Sequence, residues 1–201
     1  MKLYYAPGAC SMSPHIVLRE AGQKFDLVKV DLGTHKTESG ADYKKINPKG
    51  AVPALELDNG EVLTEGAVIV QYVADHAKNT QLMPAAGSME RYREAETLNW
   101  IAAEFHKSMG SLFNKELAEK AGDLIKTRIA GQLAYLEGRL QGKDYLVGNH
   151  FTAADAYAFT ILGWGQYVGV DASAYPNVKA YMGRIGARPT VQATLKAEGL
   201  A

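Results

Sequence analysis

The stretch NPKGAVPALELDNGEVLTEGAVIVQYVAD, residues 47–75, holds two short apolar runs, a turn signal and a helical pattern in succession. The runs at residues 54–57 and 61–63 flank Asp58, Asn59 and Gly60. An Asn-Gly pair accepts the positive φ angles of a type I′ turn, so the two runs are predicted to form a β-hairpin.

The end of this hairpin is predicted to lead directly into a helix. Thr64 can cap that helix, and Glu65 places a negative charge in its first turn, followed by Gly66. Pro53 cannot donate a ladder hydrogen bond, so it is expected in a turn before the first strand. A rigid backbone edge at Val52 beside a helix N-terminus suits a ligand with a peptide backbone and a carboxylate.

Upstream of this stretch the sequence predicts a β-α-β unit. Residues 3–5 and 25–32 have strand patterns, and residues 11–21 between them have a helical pattern, with Cys10 just before the helix. The spacing leaves room for the crossover that parallel strands need. Polar residues 33–45 are expected to form a loop with a weak helical turn. The order β-α-β, loop, β-β-α resembles the thioredoxin fold.

Strand signals stop near residue 80, and helical patterns follow. Apolar stripes at residues 89–109 and 124–140 predict two helices. Thr152 opens a third helix, which is apolar nearly all round and is expected in the centre of a bundle. Pro176 opens a fourth, which Arg188 and the next proline end. The sequence therefore predicts an α/β thioredoxin-like domain, a linker and an all-α helical domain, at residues 1–80, 81–87 and 88–201.

Composition narrows the possible partners. The 201 residues include 22 basic and 22 acidic side chains, evenly spread, which argues against a nucleic-acid or membrane-surface partner. No apolar run reaches the ~20 residues of a membrane span. The lone Cys10 excludes an internal disulfide and favours the cytoplasm. No metal-ligand spacing is present, so no metal site is expected.

Segments along essentially the whole chain resemble the glutathione S-transferases. They are KLYYAPGACSMSPHIVLREAG, NPKGAVPALELDNG, LTEGAVIVQYVAD, LNWIAAEFHKS and FTAADAYAFTILGW. Cys10 and the pair Phe105-His106 are similar to the bacterial beta class rather than to the tyrosine- or serine-dependent classes. The resemblance implies a homodimer that detoxifies hydrophobic electrophiles, such as aryl halides, by joining them to glutathione as co-substrate.

By this resemblance, Cys10 lies next to the glutathione sulfur, which must react as a thiolate. The adjacent helix N-terminus is expected to lower the pKa of Cys10 below ~8.5. Ser11 stands where a dithiol motif has its second cysteine, so a mixed disulfide with glutathione could not be resolved internally. The groups that could stabilise the glutathione thiolate are Cys10, neighbouring backbone N–H groups, Ser11, Tyr5 and His106. Tyr5 fits equally well as the last residue of a buried strand.

The resemblance also implies contacts with the rest of glutathione. The amides at Gly66 would bind the γ-glutamyl carboxylate and the Glu65 side chain the ammonium group. Glu65 could instead be an ordinary first-turn helix charge. The backbone of Val52, before a cis and purely structural Pro53, would pair antiparallel with the cysteinyl backbone.

Two basic residues compete for the glycine carboxylate of glutathione. His35 falls where beta-class enzymes often carry a lysine, and Lys36 is adjacent. An unperturbed histidine is mostly neutral above pH ~6.5, which weakens such an ion pair. His35 could equally be a solvated loop residue.

Part of the glutathione site is expected on the first helix of the second domain. Asn99, Ala103 and His106 share one helical face, which can close over the ligand. The residues of this helix assigned to the site are Asn99, Ala103, Glu104, Phe105, His106 and Lys107. Asn99 and Glu104 are candidates for contacts across the dimer interface.

Three residues near the third of these helices have simpler interpretations. Thr152 and Asp155 form a variant of the capping box and are interpreted as structural. Trp164 could line the hydrophobic-substrate pocket or pack in the core.

Two other functions stay open at this point. Cys10 could form a mixed disulfide with glutathione and carry out thiol–disulfide exchange or reductive dehalogenation. Alternatively, the fold could serve as a ligand carrier without turnover.

Overall fold

The computed structural model describes all 201 residues, and its first part is a five-stranded sheet flanked by two helices. The strands are β1 (Lys2–Tyr5), β2 (Asp26–Asp31), β3 (Lys36–Thr37), β4 (Ala54–Glu56) and β5 (Val62–Thr64), and the helices are α1 (Met12–Glu20) and α2 (Gly66–His76). The sheet order is β3-β2-β1-β4-β5, with β1 and β2 parallel as predicted. The strand β3 was not predicted, because two residues are too few to show an alternating pattern.

The β4–β5 hairpin is present, but its predicted turn type is wrong. Gly60 has φ of 86°, whereas Asn59 is not among the residues with positive φ, so a type I′ turn is excluded. The amide of Gly60 donates to the Leu57 carbonyl and that of Leu57 to the Glu61 carbonyl. This pattern is that of a three-residue loop with a glycine in the left-handed conformation.

The start of α2 also differs from the prediction. Thr64 pairs with Ala54 in the sheet, so it is still a strand residue and does not cap the helix. Glu65 is the N-cap residue instead, and its side chain makes no capping hydrogen bond.

The second part is entirely helical. Its elements are α3 (Met89–Trp100), a π-helical turn (Ile101–Phe105), α4 (His106–Ser111), α5 (Lys115–Leu140), α6 (Ala153–Gly163), α7 (Gly165–Val168), α8 (Pro176–Gly186) and α9 (Pro189–Ala197). The single helix predicted at residues 89–109 is thus interrupted by the π turn. Asn114 caps α5 well before residue 124, because the first turns of α5 are polar and hide the helical stripe. Pro189 both follows α8 and opens α9, which was not predicted.

The two parts share one continuous hydrophobic core. It extends from Leu3 and Ile16 in the first part to Phe105 and Ile161 in the second. As predicted, α6 is buried nearly all round, and it packs against α1, α2 and α3. Between α2 and α3 the chain has no helix or strand, yet Leu82 there is buried. No helix has both the length and the apolar composition needed to cross a bilayer.

Candidate functional site

A cavity of about 800 Å³ lies between the two parts of the molecule. The first part contributes the loop between β1 and α1, with Cys10, and the segment before β4, with Val52. The second part contributes His106 and an apolar wall that includes Phe113 and Trp164. The first part thus contributes the Cys10 thiol and backbone groups, whereas the second contributes the His106 imidazole and aromatic side chains.

Cys10 faces this cavity, but its environment favours the protonated thiol. Its Sγ donates a hydrogen bond to the Val52 carbonyl at 3.1 Å. Burial raises the pKa of Cys10 to about 11, and the opposing effects of nearby amides and the Lys107 charge are smaller. The predicted lowering of the Cys10 pKa is therefore wrong, because desolvation outweighs the field of the helix N-terminus.

Ser11 and Tyr5 are near Cys10 in sequence, but neither lines the cavity. The Ser11 hydroxyl is fully buried, accepts from the Ala6 amide and donates to the Ala6 carbonyl, both at 3.2 Å. Tyr5 is 9% exposed and packs against the His15 ring. Burial raises the pKa of Tyr5. The geometry therefore contradicts a role for either hydroxyl in activating glutathione and favours the buried-strand interpretation of Tyr5.

His106 also lines the cavity, from the second part of the molecule. Its Nδ1 lies 2.7 Å from the Tyr157 hydroxyl, and its ring meets the Trp164 ring edge-on at 4.9 Å. The His106 amide donates to the Ile101 carbonyl, which closes the π turn, and such turns occur frequently at functional sites. Burial lowers the pKa of His106 to about 4, so the imidazole is neutral at neutral pH.

Glu65 stands exposed at the start of α2 in a strained conformation. Its φ of 71° is rare for a residue with a side chain, and such strain is common at functional sites. Lys49 forms an ion pair with the Glu65 carboxylate and, with the Lys107 charge, lowers its pKa. The amides of Gly66 and Ala67 donate to no protein acceptor. Sequence reasoning missed Lys49, since a lysine in a turn carries no pattern of its own.

The edge of the cavity before β4 is formed by Gly50, Ala51 and Val52. The peptide bond between Val52 and Pro53 is cis. Nearby, Nδ1 of His35 lies 3.1 Å from the Gly50 carbonyl, and Gly50 lines the cavity. His35 is half-buried rather than a solvated loop residue, whereas Lys36 is exposed in β3.

Several residues assigned to this site from α3 and the π turn lie elsewhere. Phe105 is fully buried and its ring stacks on Trp100, so its side chain does not line the cavity. Glu104 is paired with Arg128 of the same chain. Asn99 and Ala103 are exposed and do not line the cavity. The π turn shifts the helical face, so only the residues after it face the cavity.

The apolar wall consists of aromatic side chains. Trp164 donates from Nε1 to the Gly8 carbonyl at 2.8 Å, and its ring packs edge-on against Phe113 at 5.4 Å. Tyr167 of α7 and Leu200 complete this side of the cavity. Of these residues only Trp164 was predicted, because Phe113 and Tyr167 lie in short segments without helical periodicity.

The predicted capping box is present at the start of α6, away from the cavity. The Thr152 amide donates to Asp155 at 2.8 Å, and the Thr152 hydroxyl donates to the same oxygen at 3.1 Å. The Leu146 amide and the Tyr181 hydroxyl bind the other oxygen, at 3.0 and 2.9 Å. Burial nevertheless raises the pKa of Asp155 to about 6.

Comparison with known proteins identifies matching families in both parts of the chain. Residues 1–75 match the family model described as the glutathione S-transferase N-terminal domain. Residues 101–189 match the corresponding C-terminal domain.

Individual relatives match over the full length. The chain is 44% identical to glutathione S-transferase GstA of Escherichia coli O157:H7 over 200 residues, which is 100% of both chains. A structure of BphK, a bacterial glutathione transferase, is 50% identical and has a TM-score of 0.97, again with 100% of both chains covered. The beta-class enzyme of Sphingomonas chungbukensis is 48% identical with a TM-score of 0.96 and the same coverage. The chain therefore belongs to the glutathione S-transferase family and, within it, to the bacterial beta class.

Proposed function

We propose that this transferase joins the thiolate of glutathione to hydrophobic, preferably aromatic, electrophiles in the cavity between its two parts, as a detoxification reaction. With an aryl halide, the sulfur would form a bond to the ring carbon and halide would leave. The observation that carries the proposal is that one cavity brings Cys10 and Val52 of the first part together with His106, Phe113 and Trp164 of the second.

The first part of the molecule has the groups that glutathione needs, some lining the cavity and others at the start of α2. The free amides of Gly66 and Ala67 can take the γ-glutamyl carboxylate, and the Glu65 side chain its ammonium group. The backbone of Val52 would pair with the cysteinyl backbone. Because the Cys10 thiol binds the Val52 carbonyl, a cysteinyl amide that takes this carbonyl would release the thiol to face the glutathione sulfur.

His35 is the better candidate for the glycine carboxylate. Its hydrogen bond to Gly50 holds the imidazole beside the cavity, while Lys36 extends from the edge strand β3.

The direct test follows thiolate absorbance in the ultraviolet while glutathione is titrated into wild type and Cys10→Ala at neutral pH. A thiolate signal in both proteins is expected, because the raised pKa of Cys10 makes it a hydrogen-bond donor rather than the reacting thiolate. No glutathione-dependent signal in either protein would overturn conjugation and favour a ligand carrier.

A second candidate function is thiol–disulfide exchange or reductive dehalogenation, which the position of Cys10 in the cavity permits. In that case Cys10→Ala would lose the thiolate signal and all thiol transfer. A matched Ser13→Ala variant, whose hydroxyl only bonds the Cys10 carbonyl, would keep both.

We also infer a homodimer in the cytoplasm. Large apolar side chains are exposed on β5, α2 and α3, namely Val62, Val68, Met89 and Tyr92. The exposed Asn99 and Ala103 would then meet the partner subunit or its ligand. Sedimentation of the purified protein would test the dimer, since a monomer at micromolar concentration contradicts it.

The inferred location in the cytoplasm is supported by the free Cys10, which is compatible with a reducing compartment.

A further inference from the structure

Tyr157 of α6 lies directly behind His106 but does not line the cavity. Its ring is 3% exposed, and its hydroxyl oxygen is 2.7 Å from Nδ1 of His106. This is the hydroxyl's sole hydrogen bond. The two rings also meet nearly perpendicular, at 80° and 5.8 Å between centroids. Tyr157 and His106 are therefore locked together by both packing and a hydrogen bond.

This geometry decides which imidazole nitrogen carries the proton. A buried hydroxyl must place its proton on an acceptor, and His106 Nδ1 is the sole one within reach. If Nδ1 carried a proton itself, two hydrogens would point at each other or the Tyr157 proton would be buried without a partner. Nδ1 must therefore accept, which leaves the proton of the neutral ring on Nε2.

The other edge of the imidazole is free. Nε2 of His106 has no hydrogen-bond partner in the protein. Only Glu94 and Gln132 have a fully buried side-chain polar atom without a partner, so Nε2 is accessible from the cavity that His106 lines. Burial keeps the imidazole neutral, as its lowered pKa indicates, and the nearby Lys107 charge acts in the same direction while Glu65 opposes it. A neutral ring with a fixed tautomer is a donor at Nε2 and cannot act there as a base.

We propose that Tyr157 is a positioning residue that holds His106 as its Nε2–H tautomer, so that His106 donates a hydrogen bond into the cavity. The consequence for turnover rests on the proposed function. A donor that is already oriented stabilises the glutathione thiolate as the bound thiol loses its proton, without having to reorganise. In this respect Tyr157 acts on His106 as a carboxylate or carbonyl acts on a metal-bound histidine, by fixing its tautomer through the opposite nitrogen.

The tautomer can be measured without glutathione. Long-range proton–nitrogen NMR spectra of protein labelled with ¹⁵N-histidine show directly which ring nitrogen carries hydrogen. The His106 signals are assigned among the five histidines by their loss in His106→Gln. We expect wild type at neutral pH to show a protonated Nε2 and a bare Nδ1. A protonated Nδ1 in wild type would overturn the proposal, whatever the enzyme's activity proves to be.

The variant Tyr157→Phe keeps the ring and removes the hydroxyl. Both tautomers should then appear for His106, and kcat/KM should fall about 3- to 10-fold, the effect of one ordinary hydrogen bond, with the KM for glutathione little changed. Unchanged nitrogen signals in folded Tyr157→Phe would contradict the proposal. If the signals change and kcat/KM does not, the tautomer assignment stands and its role in turnover fails.

Tyr181→Phe is the matched control. Tyr181 is also a buried tyrosine of the helical domain with a bound hydroxyl, but its partner is Asp155. We expect this variant to lose stability and to keep the wild-type His106 signals. A change in the His106 signals in both variants would mean that general loosening, and not the missing hydroxyl, alters the tautomer, and would overturn the proposal.

Discussion

The N-termini of α2 and α6 have similar sequence signals, a threonine and an acidic residue, but opposite chemistry. At α6, Thr152 is bound by Asp155, and the Ala154 amide donates to Glu94 at 2.6 Å. At α2, by contrast, the first amides have no protein acceptor and Glu65 is exposed. A helix start whose amides are satisfied within the chain is structural, whereas one that is left open can receive an anion.

The difference follows from burial. The start of α6 lies in the core, where an unpaired amide would be costly, so the chain itself supplies two carboxyl groups, Glu94 and Asp155. The start of α2 lies at the surface, where water or a ligand can satisfy its amides. There the chain tolerates a strained Glu65, a conformation that costs on the order of 1–3 kcal/mol.

Removing the central acceptor at α6 should have the largest effect. Asp155→Ala leaves the Thr152 and Leu146 amides buried without a partner, and it leaves the Tyr181 hydroxyl only a 3.3 Å bond to the carbonyl of residue 155. We expect the free energy of unfolding to drop on the order of 4 kcal/mol, with kcat of the folded protein unchanged. Denaturant titration measures the free energy of unfolding, and activity per folded molecule measures kcat. A stable but inactive variant would refute the structural interpretation of Asp155.

At the open N-terminus of α2, the corresponding change should affect binding instead. Glu65→Ala should remove the proposed charged hydrogen bond to glutathione, worth about 1.5–3 kcal/mol, so the KM for glutathione should rise roughly 10- to 100-fold. Stability should change little, since the ion pair of Glu65 with Lys49 is exposed. Glu61→Ala, an exposed carboxylate in the hairpin, is the control. A KM equal to that of the control would remove Glu65 from the site.

The buried Glu94 at the start of α6 should also make the free energy of unfolding depend on pH. Burial raises the pKa of Glu94 from 4.5 to about 8. The folded state then binds more protons than the unfolded chain between these values, so the free energy of unfolding falls as pH rises, by about 1.4 kcal/mol per unit from this group. Glu94→Gln should remove this part of the slope and be the more stable protein above pH ~8. If the free energy of unfolding depends on pH in the same way in wild type and Glu94→Gln, the raised pKa of Glu94 would be contradicted.

The smallest expected effect is the difference in stability between alanine variants of Thr152, at the start of α6, and Thr64, before α2. Thr152→Ala should lower the free energy of unfolding by about 1 kcal/mol, because Thr152 is the N-cap of α6. Thr64→Ala should cost less, because Thr64 is a strand residue and caps nothing. Equal losses of thermal stability in the two variants would erase the distinction between a closed and an open N-terminus.

The order of elements could be predicted from the sequence because it depends on local patterns. Parallel β1 and β2, the β4–β5 hairpin, α2 and the buried α6 are all confirmed. The errors fall where a pattern is short or polar, as in β3 and the first turns of α5, or where one turn is distorted, as at residues 101–105.

The functional site was predicted less completely. Residues within a motif, such as Cys10 and His106, do lie at the cavity. The sequence did not indicate Lys49, Phe113 or Tyr157, because the residue that each contacts at the site is distant along the chain.

The sequence alone determined the class of fold and the family, since periodicity, turn residues and motifs are properties of neighbouring positions. The tertiary structure decided the chemistry of individual groups. It raised the pKa of Cys10, which the position of Cys10 before a helix had suggested would be lowered, because desolvation depends on what packs around the thiol. It likewise placed Tyr157 behind His106, 51 positions away in the chain, where we propose that its hydroxyl fixes the proton of the imidazole on Nε2.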